Sequence, residues 1–155
     1  VVVLIIGILA AVALPKYELA VDKSRVMTMI QIATNIRKAQ EVYYMANGSY
    51  VAELGDLDID YSGICRLADN SELVCENAGI DNIVGAVSSD AASSANRVSI
   101  WFCPPGYSAM ATCRTKSSAT ISVYFSNSSN PNEITCEGRT DRGTRLCKAL
   151  NLPTN

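Results

Sequence analysis

The first fourteen residues, VVVLIIGILAAVAL, contain no polar side chain, and this run restricts what the chain can become more than any other feature. A surface helix needs one apolar stripe, but here the apolar character runs all the way round, which suits lipid or a protein-filled interior. The run is shorter than the about 20 helical residues that cross a bilayer. It is preceded by neither an initiator Met nor a basic segment, so it is not read as an intact signal peptide. Val1 is instead expected to lie inside a longer apolar helix. A domain built from the remaining residues is too small to surround that helix, whereas many neighbouring copies of it can.

Gly7 and Pro15 are the weak points of this segment. Gly costs about 1 kcal/mol against Ala in a helix interior, and Pro removes a backbone donor and crowds the carbonyl four residues earlier. An interruption of the helix between Gly7 and Pro15 is therefore expected. Beyond Pro15 the texture changes. From Lys16 to Ala46, Val26, Met29 or Ile30, Ala33, Ile36, Ala39 and Tyr43 recur at three- and four-residue steps, which predicts one apolar stripe on an amphipathic helix. Asn47-Gly48 supplies the stop, because Gly accepts the left-handed conformation that ends helices. If fully helical, residues 1–46 form a rod roughly 70 Å long, longer than a domain of this size is wide, so the apolar part must project.

From residue 48 onward the pattern is β-rich. Val98, Ile100 and Phe102 alternate with Ser99 and Trp101, and Ile121, Val123 and Phe125 alternate with Thr120, Ser122 and Tyr124. Both predict half-buried strands, with a third over Glu133–Cys136. The Ser-, Ala- and Asp-rich stretch Ile80–Asn96 is read as a surface loop. The expected organisation is an apolar segment 1–15, an amphipathic helix 16–47 and a β-rich head 48–155, an α+β architecture.

Six cysteines and no histidine, without a Cys-x-x-Cys pair, argue against a zinc site. Disulfides, and hence an oxidising extracytoplasmic location, fit better. Many pairings are open to six cysteines. Cys65–Cys75, Cys103–Cys113 and Cys136–Cys147 are favoured because they enclose nine, nine and ten residues, and short loops close readily. Each staple would contribute about 2–3 kcal/mol in the loop-entropy view.

The order VVVLIIGILAAVALPKY followed by a long amphipathic helix resembles the mature N-terminus of type IV pilins and of their type II secretion relatives, without its first several residues. In intact family members those residues include an N-methylated aromatic or Met and a glutamate, and neither position is present in this sequence. The strong likeness covers about the first 45 residues. The segment CEGRTDRGTRLC from Cys136 to Cys147 is similar to the disulfide-bounded terminal loop of many pilins. The resemblance implies a head with an antiparallel sheet stapled by disulfides and a bacterial subunit held in the inner membrane. Assembly machinery would extract that subunit into an extracellular homopolymer serving adhesion, twitching motility or DNA uptake. Val3, Ile6, Gly7, Ala10, Ala11, Leu14 and Pro15 are the residues of this sequence placed in the filament core. Gly7, Ala10, Ala11 and Ala13 are small enough to permit close helix approach, and a heterologous contact that does not close generates an open helical polymer. Unwinding between Gly7 and Pro15 within the filament is implied as well. A type II secretion pseudopilin and a minor, DNA-binding pilin are the alternatives.

Other candidate sites carry less. Asp56, Asp58 and Asp60 suggest a calcium loop, but an EF-hand pattern needs Gly where Tyr61 stands and Glu where Leu67 stands. The alternation with Leu57 and Ile59 reads as a strand or sheet edge. With no histidine, a Ser-His or Cys-His nucleophile is excluded, and neither catalytic activity nor a cofactor is expected. A net charge of -2 gives nucleic acid no general attraction, so DNA contact is confined to Arg139, Arg142, Arg145 and Lys148 in the last loop. Sequons stand at Asn47-Gly48-Ser49 and Asn127-Ser128-Ser129, with Ser88–Ser94 as an alternative sugar acceptor. Tyr43 and Tyr44 are read as core packing on the helix.

Overall fold

The computed structural model describes residues 1–155 except 62, 64, 70, 77–82, 92–94, 104, 108 and 155. Helix α1 (Val2–Asn47) leads into a short 3-10 turn over Leu54–Asp56. A six-stranded sheet follows: β1 (Cys65–Asp69), β2 (Glu72–Glu76), β3 (Ile83–Ser89), β4 (Arg97–Phe102), β5 (Ala119–Tyr124) and β6 (Ile134–Gly138), with α2 (Met110–Thr115) before β5 and α3 (Asp141–Leu150) after β6. The strands lie side by side in chain order and every pair is antiparallel. This is the expected α+β fold, a long helix packed on an antiparallel sheet.

α1 is one unbroken helix through Gly7 and Pro15, which corrects the expected interruption for the single chain. Gly7 stands in open space, and an apolar segment gains by satisfying its own amides and carbonyls along the helix. The far end stops as expected: Gly48 adopts φ 74 and its N–H donates to the Tyr44 carbonyl at 2.8 Å.

Val26, Met29, Ala33 and Ile36 of α1 are fully buried against Leu73, Val87, Val98, Ile100, Phe102, Ile121 and Val123 of the sheet. The approach is close because β3 carries Gly85 beneath Met29: a Cβ at Gly85 would stand 2.5 Å from the Met29 sulfur and 2.8 Å from the Trp101 carbonyl. The stripe then departs from expectation, because its next member is the fully buried Gln40 and not Tyr43, which is exposed. The Gln40 carboxamide donates to the Val51 carbonyl and accepts from the Val51 N–H, both at 2.8 Å, as a neighbouring strand would. Its amide also reaches the Ser89 hydroxyl at 3.4 Å. A buried backbone needs such partners, and this side chain fixes where the chain returns after α1. Glu41 holds the β5–β6 connection in the same way, accepting from the Ser126 N–H at 2.7 Å and hydroxyl at 2.6 Å.

Three further expectations change, and one hairpin is added. Ile83–Ser89, within the stretch read as a loop, is the central strand β3 with Val87 buried; Ile80–Asn82 and Ala92–Ser94 lie outside the described residues. Ser88 and Ser89 are accordingly buried strand residues. β1 and β2 form a hairpin whose turn is closed by Asp69, which accepts from the Ser71 and Glu72 amides at 2.9 and 3.0 Å. Asp56 ends the 3-10 turn and Asp58 and Asp60 lie in irregular chain, because the buried residues Leu54 and Leu57 are spaced by three, a turn period rather than a strand period.

Replacing Gln40 with Leu removes both partners of Val51 while keeping the side chain's bulk. At about 1–3 kcal/mol for each unsatisfied buried group, the head should lose roughly 2–4 kcal/mol. Denaturant unfolding of the full chain in detergent micelles, followed by Trp101 fluorescence, reads this directly.

Candidate assembly surface

Residues 1–18 of α1 are all exposed. An 18-residue window of this helix has a mean hydropathy of 2.0 with none of it buried. The large side chains range from 51% exposed at Ile5 to 98% at Val1. A Val, Leu or Ile side chain contributes about 1.5–3 kcal/mol when wholly removed from water. The ten large ones between Val1 and Leu14 therefore carry an unmet burial free energy on the order of 10–20 kcal/mol. That rivals the whole stability of a typical domain, roughly 5–15 kcal/mol. By length and composition the helix is able to cross a membrane.

Val3, Ile6, Gly7, Ala10, Ala11 and Leu14 all project from this segment, and their steps of three and four residues place them on one side of α1. None is buried by the head. Apolar exposure continues on the outward side of the packed half, where Met27, Val42 and Met45 remain at least half exposed.

The boundary between projecting and packed helix is set by one ion pair. Asp22 is the first buried residue of α1, and its carboxylate accepts from Nε and Nη2 of Arg142 at 2.6 and 2.8 Å. This bidentate geometry joins α1 to α3 across 120 residues of sequence. The Asp22 side chain is 2% exposed, and hydrogen bonding to it holds the Arg142 guanidinium above its ordinary pKa against the opposing effect of partial burial.

α3 corrects the expectation of a terminal loop between Cys136 and Cys147, because Asp141–Leu150 is helical. Thr140 caps it by accepting from the Gly143 N–H at 3.2 Å, Asp141 sits in its first turn, Lys148 in its last, and Asn151 closes it at φ 53. Each is an ordinary helix signal that the run of arginines obscured. Gly143 is required because a Cβ there would run into the Ser118 carbonyl. The four cations do not form a free basic loop: Arg142 is committed to Asp22, Arg145 lines the crevice beside Pro15 and Glu18, and Arg139 precedes the helix.

The three disulfides are Cys65–Cys75, Cys103–Cys113 and Cys136–Cys147, the pairing expected from loop length. They tie β1 to β2 across a register pair, the end of β4 to α2, and β6 to α3. Tyr44 stacks on Tyr50 with centroids 4.6 Å apart, and Tyr50 leans on Phe125. Asn47 and Asn127, which open the two sequons, both sit at this end of the head, where the Asn127 amide lies 3.5 Å from the Tyr44 hydroxyl.

Arg142→Leu strands a buried carboxylate and should cost about 3 kcal/mol of head stability. The double variant Asp22→Leu with Arg142→Leu removes the orphaned charge and should recover most of that loss. Equilibrium unfolding of both variants distinguishes a desolvated pair, where the double is milder than the single, from a surface contact, where neither matters.

The chain matches no protein-family model, no curated protein and no solved structure.

Proposed function

We propose that the chain is the structural subunit of an extracellular type IV pilus filament, which polymerises through its apolar N-terminal helix and is not a catalyst. The observation that carries this reading is the division of α1. One continuous helix completes the head's core from Asp22 onward and leaves residues 1–14, apolar on every side, exposed among the described residues. A lipid bilayer satisfies that surface before assembly. Identical helices satisfy it afterwards, with Gly7, Ala10 and Ala11 allowing close approach.

The reading is supported by the contacts that hold the junction. The Asp22–Arg142 pair and the buried stripe from Val26 to Ile36 fix the direction in which the apolar half leaves the head, and a repeating heterologous contact needs a fixed direction. Disulfides at three sites suit a head exposed outside the cell. The filament would serve adhesion, motility or DNA uptake, with force supplied by separate motor proteins.

Ile6→Lys tests the reading because Ile6 touches nothing in the head. A Lys at the centre of an apolar helix costs about 2.5–3.5 kcal/mol on insertion scales, so the variant should unfold like the parent head yet yield no filaments. Electron microscopy of sheared surface material from cells making each form provides the measurement. Long thin filaments of the parent that vanish in the variant are expected. Filaments unaffected by Ile6→Lys would refute the assembly role, and only short periplasmic assemblies would shift it to a secretion pseudopilin.

A further inference from the structure

The sheet has a second face, turned away from α1, and it is covered unevenly. Over β2, β3 and the end of β4 it is closed by α2, where Val74 and Ala86 pack with Cys103, Cys113 and Trp101. Over β4, β5 and β6 it is open and forms a depression of about 220 Å³.

The floor of this depression is a row of small hydroxyls. Ser99, Ser122 and Thr135 are successive cross-strand partners, and they are only 1%, 4% and 3% exposed, although outward strand positions ordinarily face water. The adjacent row reads Trp101, Thr120 and Glu137. Thr120 Oγ1 is buried without a hydrogen-bond partner, an arrangement a folded chain avoids unless something supplies the bond.

The walls are charged and differ in how firmly they are held. Arg97 is fixed by Asp90 at 3.6 Å and the Tyr124 hydroxyl at 3.3 Å. The Trp101 ring is held beneath the Arg114 guanidinium at 4.5 Å, and Arg114 is in turn paired with Glu72. Arg139, by contrast, is exposed, reaches only the Arg114 carbonyl at 3.5 Å, and makes no ion pair among the described residues.

We propose that this depression binds one carboxylated sugar residue, a hexuronic or sialic acid, as the terminal unit of a glycan. The carboxylate pairs with Arg139, whose planar fork suits it. Ring hydroxyls bond to Thr120 and to the Ser122 and Thr135 row, and Glu137 accepts from a further hydroxyl. An apolar ligand would strip water from the hydroxyl floor without replacing its bonds. A phosphate dianion would face Glu137, and a drug-sized molecule needs a larger cavity. The site does not depend on polymerisation. If the pilus reading holds, α1 points to the filament axis and this face points outward, where a host or neighbour glycan is met.

The full chain, isotope-labelled in detergent micelles, is titrated with glucuronate and with N-acetylneuraminate, and with glucose and inorganic phosphate as comparisons. At least one acid should bind saturably in the millimolar range, as a single small ligand would, with shifts centred on Thr120, Ser122, Thr135 and the Trp101 indole. Glucose and phosphate should each bind roughly tenfold more weakly or not at all, since the former lacks the charge-assisted bond. Arg139→Gln should weaken the acid by about tenfold or more, and its unchanged amide spectrum elsewhere shows an intact fold. Ser122→Leu, which fills the floor, should abolish binding. No response to either acid, equal binding of phosphate, or undiminished binding by Arg139→Gln overturns the site, and none of these outcomes bears on whether filaments form.

Discussion

The packing of one short stretch of α1 onto the sheet is the interaction on which everything else depends. A six-stranded antiparallel meander has two faces, and without a cover on one of them its alternating Val, Ile and Phe side chains would remain in water. Val26, Met29, Ala33 and Ile36 supply that cover. Gly85 lets the helix come close enough to fill the space. Gln40 and Glu41 then fix the two connections that leave this contact, the return of the chain at Val51 and the β5–β6 loop at Ser126. The disulfides add to this arrangement from its margins: each joins neighbouring elements already brought together by strand pairing or helix packing.

That contact also explains the division of labour along α1. Burial begins abruptly at Asp22 and ends at Gln40, so less than half of the helix belongs to the head. Stability of the head and the fate of residues 1–14 are therefore largely separate in energy, because those residues are all exposed and the contact with α3 begins only at Pro15 and Glu18. Asp22–Arg142 stands at the border. A buried ion pair there is weak as a source of stability, but its bidentate geometry fixes the angle at which the rod departs. An apolar pair of the same size would pack the same space without specifying a direction so sharply.

Much of this was legible in the sequence, for physical reasons. The apolar run, the helical stripe, Gly48, the strands at Val98–Phe102 and Ile121–Val123 and the cysteine spacing all carry local periodic or short-range signals, and each of those elements is present. What escaped was determined by tertiary context. β3 carries Gly85 where α1 presses on one face and Ala86 where α2 covers the other, so its composition imitates a loop. β1 exposes four of its five residues and offers little alternation to detect. α3 hides behind charges, one of which belongs to an ion pair with a residue 120 positions away. The register that aligns Ser99, Ser122 and Thr135 is likewise invisible until the strands are paired.

Pro15 shows how the projecting half can be helical in the single chain and still be its weakest point. Lacking an N–H, Pro15 leaves the Ala11 carbonyl without its i+4 donor. In water that carbonyl is satisfied by solvent. In an apolar setting a nearby Ser or Thr hydroxyl commonly takes over this role, yet the stretch from Gly7 to Leu14 contains neither. The stretch therefore has no internal remedy, and the cost of the unmatched carbonyl rises as its surroundings become drier. A change of surroundings from lipid to packed identical helices alters that cost without altering any contact in the head. If assembly remodels the helix anywhere, the physical chemistry selects the turn between Ala11 and Pro15, while the segment beyond Asp22 stays locked to the sheet.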